Sequence, residues 1–530
     1  MAQMLKAEHA EGYERRWWVL GVLCLSLLVI GLDNTILNVA LPTLSKDLGA
    51  TNSQLQWMVD AYVLVFAGLL LTTGSLSDRY GRRKALALGL VIFGVGSTLS
   101  AFSGTSSALI ASRALMGVGG ALIMPSTLSI LTNVFPAHER GRAIGIWAGV
   151  SGLGIAIGPI VGGWLLAHFW WGSVFLVNVP VVIVALILGR LIVPDSKDPH
   201  PNALDPVGAV LSIVGLVSLV YAIIEAPSRG WTSSETILTF AFALIVLAAF
   251  AIWELRSDHP MLDVTFFENP RFTAANISIV LVFFALFGSL FFLTQYLQFV
   301  LGYTPLQAGI RVAPIALVLM VMAPLAGRLV ERVGNKVLVA IGMAAVAIGL
   351  GFLGTITVSS GYTHVLIALV ILGMGMGTAM VPATESIMGS LPLAKAGLGS
   401  AMNDTTRQIG GALGVAILGS VFASSFASHI TTALSALPPD QVAIASESVD
   451  KALGLGVQTG GTAGAAIIAA ANQSFISAMD RGLFVGAAIA LIGALVALVW
   501  LPNRAHTPPE ELLSNELAEA DVPVGVEAGE

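Results

Sequence analysis

The chain has 530 residues, of which 56% are hydrophobic, 11% are charged and 57 are glycine, a balance that excludes an ordinary soluble domain and points to the bilayer. The net charge of −6 comes with basic residues scattered through short connections, which excludes a nucleic-acid-binding surface. A single cysteine, Cys24, excludes an internal disulfide and a thiolate metal site.

Apolar runs long enough for about 20 helical residues follow one another through the chain. After a tail over 1–16 they fall near 17–41, 55–76, 85–102, 109–132, 143–167 and 173–193. A pair follows at 207–226 and 236–255, then six more at 273–297, 307–329, 336–357, 362–389, 402–425 and 480–501. The pattern predicts an all-α membrane protein with fourteen transmembrane helices. The first run is too long for a signal-peptide core and is read as a retained helix. With a cytoplasmic N-terminus, all but six of the 25 basic residues fall on the cytoplasmic side. Lys46, Arg229, Arg311, Lys451 and Arg481 lie outside and Arg113 lies in the membrane, so the positive-inside rule supports this orientation. The stretch 459–479 has an uninterrupted apolar core too short to span and is assigned to a long outer loop, 426–479, as an interfacial hairpin or a plain loop. The acidic tail, 502–530, is expected to be disordered and cytoplasmic.

The chain repeats itself. GSLSDRYGRRK at 74 returns as GRLVERVGNK at 327, and LIASRALMGVGGALIMPSTLSI at 109 returns as LIALVILGMGMGTAMVPATESI at 366. A parallel duplication of a six-helix unit follows: halves over 17–193 and 273–501, with 207–255 inserted between them. Parallel repeats of this kind make a transporter, with the substrate between the halves and access alternating by rocking. Residues present in one copy alone are candidates for function: Arg113 stands over Val370, Asp60 over about Ala313, and Glu385 over Leu128. At 1.5 Å per residue, Asp33 lies roughly 12 Å deep from the outer side, and Asp60 and Arg113 roughly 8 Å. The three therefore share a depth in the outer half of the first bundle. An arginine there holds a carboxylate ionised while desolvation opposes ionisation, the competition a proton carrier needs; a static ion pair, or a cap for Asp60, is the plainer alternative.

Six stretches carry a family likeness: LDNTILNVALP, GSLSDRYGRRKAL, LIASRALMGVGGA, GLGIAIGPIVGGW, FLVNVP and NDTTRQIGGALGVAILGS. Together they resemble the drug:proton antiporters of the major facilitator superfamily, in the fourteen-helix branch of quaternary-ammonium and multidrug exporters. One departure is FWWGSVF, where the family often has Trp-Arg-Trp, so an outer-loop arginine is missing. The resemblance implies export from the cell across the cell membrane, with proton coupling at Asp33 and Arg113, and Asp60 attracting a cationic substrate or itself titrating. It also implies that Gly154, Gly158, Pro159 and Gly162 of the fifth helix pack against the other half and seal one face, where close helix packing alone is the plainer reading. A gating latch is implied between Gly74, Asp78, Arg79, Gly81, Arg82 and Arg83 and the start of the thirteenth helix at Asp404 and Arg407, in addition to the arginines' role in topology. Trp57, Tyr62, Phe284, Phe287, Gln295, Tyr296 and Gln298 are candidate walls for flat lipophilic cations, or else face lipid and neighbouring helices. Glu385, Glu225 and Asp480 are read as helix-end residues. Expected partners are a small-molecule substrate, protons and membrane lipid, with the chain acting as a monomer.

An enzyme finds no support, because the sequence has neither His-Glu-x-x-His nor a phosphate loop ending in Lys-Ser or Lys-Thr. GMGMGT, Gly373 to Thr378, imitates a nucleotide fingerprint but lies inside an apolar helix without the preceding strand. With no site for ATP, the expected energy source is the proton gradient, with no cofactor and no metal. A dedicated exporter of one metabolite, antibiotic or siderophore shares every one of these motifs, and a membrane sensor is the more distant alternative.

Overall fold

Each apolar run becomes a helix because a bilayer leaves the backbone no other way to satisfy its hydrogen bonds. The computed structural model describes residues 13–197, 205–390 apart from 259 and 263, and 396–502. The first six long helices are α1 (Arg16–Leu48), α2 (Asn52–Tyr80), α3 (Arg82–Ala101), α4 (Ser106–Val134), α5 (Ala137–His168) and α6 (Ser173–Ile192). The inserted pair is α7 (Pro206–Arg229) and α8 (Ser234–Arg256). Then come α9 (Pro270–Gln295), α10 (Pro305–Val333), α11 (Asn335–Leu353), α12 (Tyr362–Met388) and α13 (Ala396–Ala433). Two short helices, α14 (Pro439–Glu447) and α15 (Val449–Thr459), lead into α16 (Gly461–Trp500). Thirteen of these are long and apolar enough to cross a membrane; in α5 the described apolar stretch is the shorter Ile157–His168. Large apolar side chains such as Leu99, Leu191, Leu238, Val321 and Val499 are exposed around the outside, as lipid contact requires.

The duplication is visible in the packing. In the first half α4 packs on α2 and α3, and α1 on α5 and α6; in the second, α12 packs on α10 and α11, and α9 on α13 and α16. Local devices repeat too. Thr51 and Gln54 form a capping box at the start of α2, and Thr304 and Gln307 form the same box at the start of α10. Gly81 and Gly334 open α3 and α11 with φ of +111° and +87°, a backbone that only glycine adopts without strain. Thr51→Ala removes one of these caps and is expected to cost about 1 kcal/mol of stability, read as a lowered Tm of the solubilised protein.

Short connections alternate the helix directions. The face carrying Arg16 and the 80–82 turn is called the basic face, the opposite one the distal face. The contacts between halves named here lie toward the distal face: Pro305 and Leu306 over Gly163, Gly309 over Pro159, Gly419 over Gln56, and Gln298 Nε2 donating to the Val39 carbonyl at 2.9 Å. The inserted α7 rests on both α2 and α13. Ser420 donates to the Ile223 carbonyl at 2.7 Å, while Ser53 and the Trp57 indole donate to Glu225 at 3.0 and 3.2 Å. Glu225 is therefore a joint between α7 and α2 rather than a bare helix end.

The segment expected as an outer loop over 426–479 is largely helical. The helix α13 runs on to Ala433, and 461–479 is the first half of α16, one helix of 40 residues. At 1.5 Å per residue that helix is about 60 Å long, twice a hydrocarbon core, so half of it stands outside. Asp480 and Arg481 interrupt hydropathy without interrupting the helix, because charge does not break the i to i−4 ladder as proline does. The expectation of a disordered tail falls, from 503 onward, outside the described residues.

Candidate functional site

The helix α4 brings one arginine between two neighbours. Arg113 Nη1 is hydrogen-bonded to Asp33 Oδ2 of α1, and its Nε donates to the Met58 carbonyl of α2 at 3.0 Å. Its guanidinium lies over the Tyr62 ring, 4.5 Å from the centroid. Asp33 is 0% exposed and Arg113 1%. Small residues make room for this: Gly117, one turn further along α4, has the Tyr62 and Phe66 backbone of α2 so close that a Cβ would not fit. A carboxylate and a guanidinium so far from solvent hold each other's charge, and removing either strands the other.

Asp60 has the same burial but not the same company. It is 0% exposed, and among the described residues neither of its carboxylate oxygens has a hydrogen-bond partner. It is two positions along from Met58 and from Tyr62, about 200° around the helix, so it stands on a different face of α2 from the one meeting Arg113. Spacings of four and seven put Asp60 on the face of Gln56 and Ala67, which is turned to the seam with α13. Depth along the sequence grouped the three charges; helix rotation separates them into an ion pair and a lone acid.

The sequence has the profile of the Major Facilitator Superfamily over residues 23–415. The chain belongs to that superfamily. It is 37% identical over 487 residues to the multidrug efflux pump LfrA of Mycolicibacterium smegmatis, covering 91% of this chain and 95% of that one. It is 34% identical to the tetracenomycin C resistance and export protein of Streptomyces glaucescens, with 91% of each covered. It is also 34% identical to the methyl viologen resistance protein SmvA of Salmonella typhimurium, with 87% of this chain and 93% of that one covered. Among solved structures, a bacterial homologue of the lysosomal transporter Spinster superposes with a TM-score of 0.65 at 19% identity, covering 91% of this chain and 98% of that one, which supports the fold. This major facilitator chain is a multi-pass membrane transporter and not an enzyme.

Within the facilitator fold the remaining candidates disperse. The glycine stripe of α5 packs on α1 of its own half: Gly154 lies on the Gly31 backbone, Gly158 on Thr35 and Leu32, Gly162 on Ile36. Contact with the other half belongs to Pro159, whose carbonyl faces Gly309, and to Gly163. Of the four residues expected to meet the other half, Pro159 does so and the three glycines face α1 instead: a period of four fixes a face but not which neighbour meets it. The latch partners are also apart. Asp78 accepts from Arg82 Nε at 2.7 Å, and Arg83 donates to Val193 and Asp195. Arg79 lies over the Tyr80 ring, and Gly74 sits 3.6 Å, by its would-be Cβ, from Pro125. Arg407 pairs with Asp404 of its own helix at 3.7 Å and covers Phe283. Among the described residues no ion pair joins the two groups, as follows when the halves meet toward the distal face.

The proposed cavity walls serve mainly as joints. Trp57 is tied to Glu225, and Tyr62 backs Arg113. Phe284 and Phe287 lie under Gly414 and Gly411 of α13, Gln295 Nε2 returns to the Phe291 carbonyl of its own helix, and Tyr296 donates to the Ser360 carbonyl at 3.3 Å. Gln298 bridges the halves on a single π-helical turn, Tyr296–Val300, the kind of local widening often found at functional places. Sequence reasoning missed Gln56, fully buried under Gly419 and Ser420 at the seam; its signal was a polar side chain one turn from Asp60.

Proposed function

We propose that this transporter exports lipophilic cationic compounds from the cell across the cell membrane in exchange for protons, with the basic face and both termini cytoplasmic. The reading rests foremost on one observation: a buried Asp33–Arg113 pair and, on another face of α2, an equally buried Asp60 that has no hydrogen-bond partner among the described residues. The names of its relatives, a multidrug efflux pump and a methyl viologen resistance protein, support the substrate class. Contact between the halves toward the distal face, with the latch apart, corresponds to a state open to the cytoplasm. In that state Arg113 holds the charge of Asp33. A proton arriving at Asp33 cancels that charge and frees Arg113 from α1, so α1 and α4 rearrange together as the halves rock. Asp60, facing the seam, offers a cationic substrate a countercharge on that face of α2. An uncompensated carboxylate at such depth is costly, so a cation or a proton occupies it at each stage. No cofactor and no metal take part in this scheme, and the chain acts as a monomer. The likeness to the tetracenomycin C export protein favours, as a second reading, a dedicated exporter of one compound.

The test is Asp60→Asn in proteoliposomes. Export of dications is expected to fall at least tenfold while export of neutral lipophilic compounds persists. Equal loss of both would move Asp60 from substrate recognition to a structural or proton role.

A further inference from the structure

Between α2 and α13, toward the basic face from Gln56, the inserted helices roof a cavity of about 320 Å³, within the range of small-molecule sites. Its walls are almost wholly apolar and come from Gly68 of α2, Ser212 of α7, Phe250 of α8, Ile277 of α9, Thr405 of α13 and Leu262 of the α8–α9 connection. All five helices contribute residues from the basic half of their length. Gly68 permits the roof, because a Cβ there would collide with Ile213 of α7.

An acid pair lies about one helical turn beyond the cavity's lining residues. One turn, about 6 Å, from Ser212 along α7 lies Gly208, capped by Asp205; one turn from Phe250 along α8 lies Glu254. Asp205 accepts the Gly208 amide at 2.8 Å and the Trp253 indole at 3.0 Å. Glu254 Oε2 accepts the Leu262 amide at 2.9 Å, whereas its Oε1 has no donor among the described residues other than the facing Asp205 carboxyl. The two carboxyls lie within hydrogen-bonding reach of each other, 7% and 3% exposed. Among the described residues neither forms an ion pair with Lys, Arg or His. Two adjacent buried carboxyls cannot both be ionised without a cation beside them. At the other end, Asp60 precedes Ala67 by seven residues on the same face of α2, about 10 Å deeper.

We propose that this cavity is a loading site for lipophilic monocations bearing an alkyl arm: the arm fills the cavity, the cation rests against Asp205 and Glu254, and the path onward leads to Asp60. The substrate class rests on the export reading above; the site itself rests on the cavity and the acid pair. The ammonium of an ethanolamine lipid has the same chemistry, and the test separates the two sources.

Full-length protein in phosphatidylcholine nanodiscs is irradiated with dodecyltrimethylammonium carrying a diazirine on its chain, and the labelled peptides are mapped. Label is expected on α7, α8 and α13 within the cavity, displaced by unlabelled dodecyltrimethylammonium. It should fall about tenfold in Glu254→Gln, the loss expected for one charged contact, and similarly in Ile277→Trp, which fills the cavity. Both variants are first checked for unchanged thermal unfolding, and the Trp variant carries the test if the Gln variant fails to fold. Label only outside the cavity, or label unmoved by a folded variant, overturns the proposal. So does label from a diazirine-bearing phosphatidylethanolamine that the ammonium probe cannot displace, which makes the cavity a lipid site. Export by the wild type without cavity label sinks the site alone, whereas cavity label without export sinks the export reading and leaves the site standing.

Discussion

Asp33→Asn is expected to abolish export driven by a pH gradient while the protein remains in the membrane. The substitution keeps the size of the side chain but takes away the charge that Arg113 faces at 1% exposure. Stranding one member of a buried ion pair costs about 3 to 5 kcal/mol. Part of that is offset here, since Arg113 retains the Met58 carbonyl and the Tyr62 ring. A stability loss toward the lower end is therefore expected, visible as a depressed Tm. Loss of transport through coupling and loss through instability are separated by the double variant Asp33→Asn, Arg113→Gln. Removing both charges should restore much of the Tm and none of the gradient-driven export. Recovery of export with the Tm would make the pair a structural strut.

Gly309→Leu is expected to hold the distal face open. The Gly309 backbone lies against the Pro159 carbonyl so closely that any Cβ overlaps it, and next to it Gly163 lies against Pro305 and Leu306. Overpacking of this kind costs about 1 to 3 kcal/mol, which at 1.4 kcal/mol per tenfold shifts the balance between conformations roughly ten- to a hundredfold. The readout is a thiol introduced by Gln56→Cys, at a position 0% exposed in the wild type, in a Cys24→Ser background. An impermeant maleimide should label it far faster when the Gly309→Leu substitution is present, and export should drop at least tenfold. Unchanged labelling would show that this contact does not close the distal face. Gly158→Leu makes an instructive contrast: it strikes Thr35 within the same half, so it should lower stability without favouring either conformation.

Much of the architecture was legible because the signals were local or repeated. Thr51 with Gln54 and Thr304 with Gln307 announce matching helix starts, and Gly81 with Gly334 matching turns. Depth brought Asp33, Asp60 and Arg113 into one apolar layer, and the family resemblance singled out Asp33 and Arg113, which the structure pairs. Asp60 shows the limit of that argument: it shares the depth, yet a two-residue step from Met58 turns it to the seam. Rotation about a helix decides such cases, and hydropathy says little about it in a helix apolar all round. The same gap misplaced the glycine stripe of α5. The Asp205–Glu254 pair was illegible for another reason, because only the closing of the α7–α8 hairpin brings together two acids at its opposite ends. In α16, a charged break in hydropathy reads as the edge of a helix that in fact continues.

Proton release on substrate binding bears most directly on the exchange. Tetraphenylphosphonium added to purified protein in weakly buffered solution should acidify the medium in the wild type and fail to do so in Asp33→Asn, with binding measured in parallel. Equal acidification by the two proteins, or tight binding by the wild type with no proton released, would contradict proton-coupled export through Asp33.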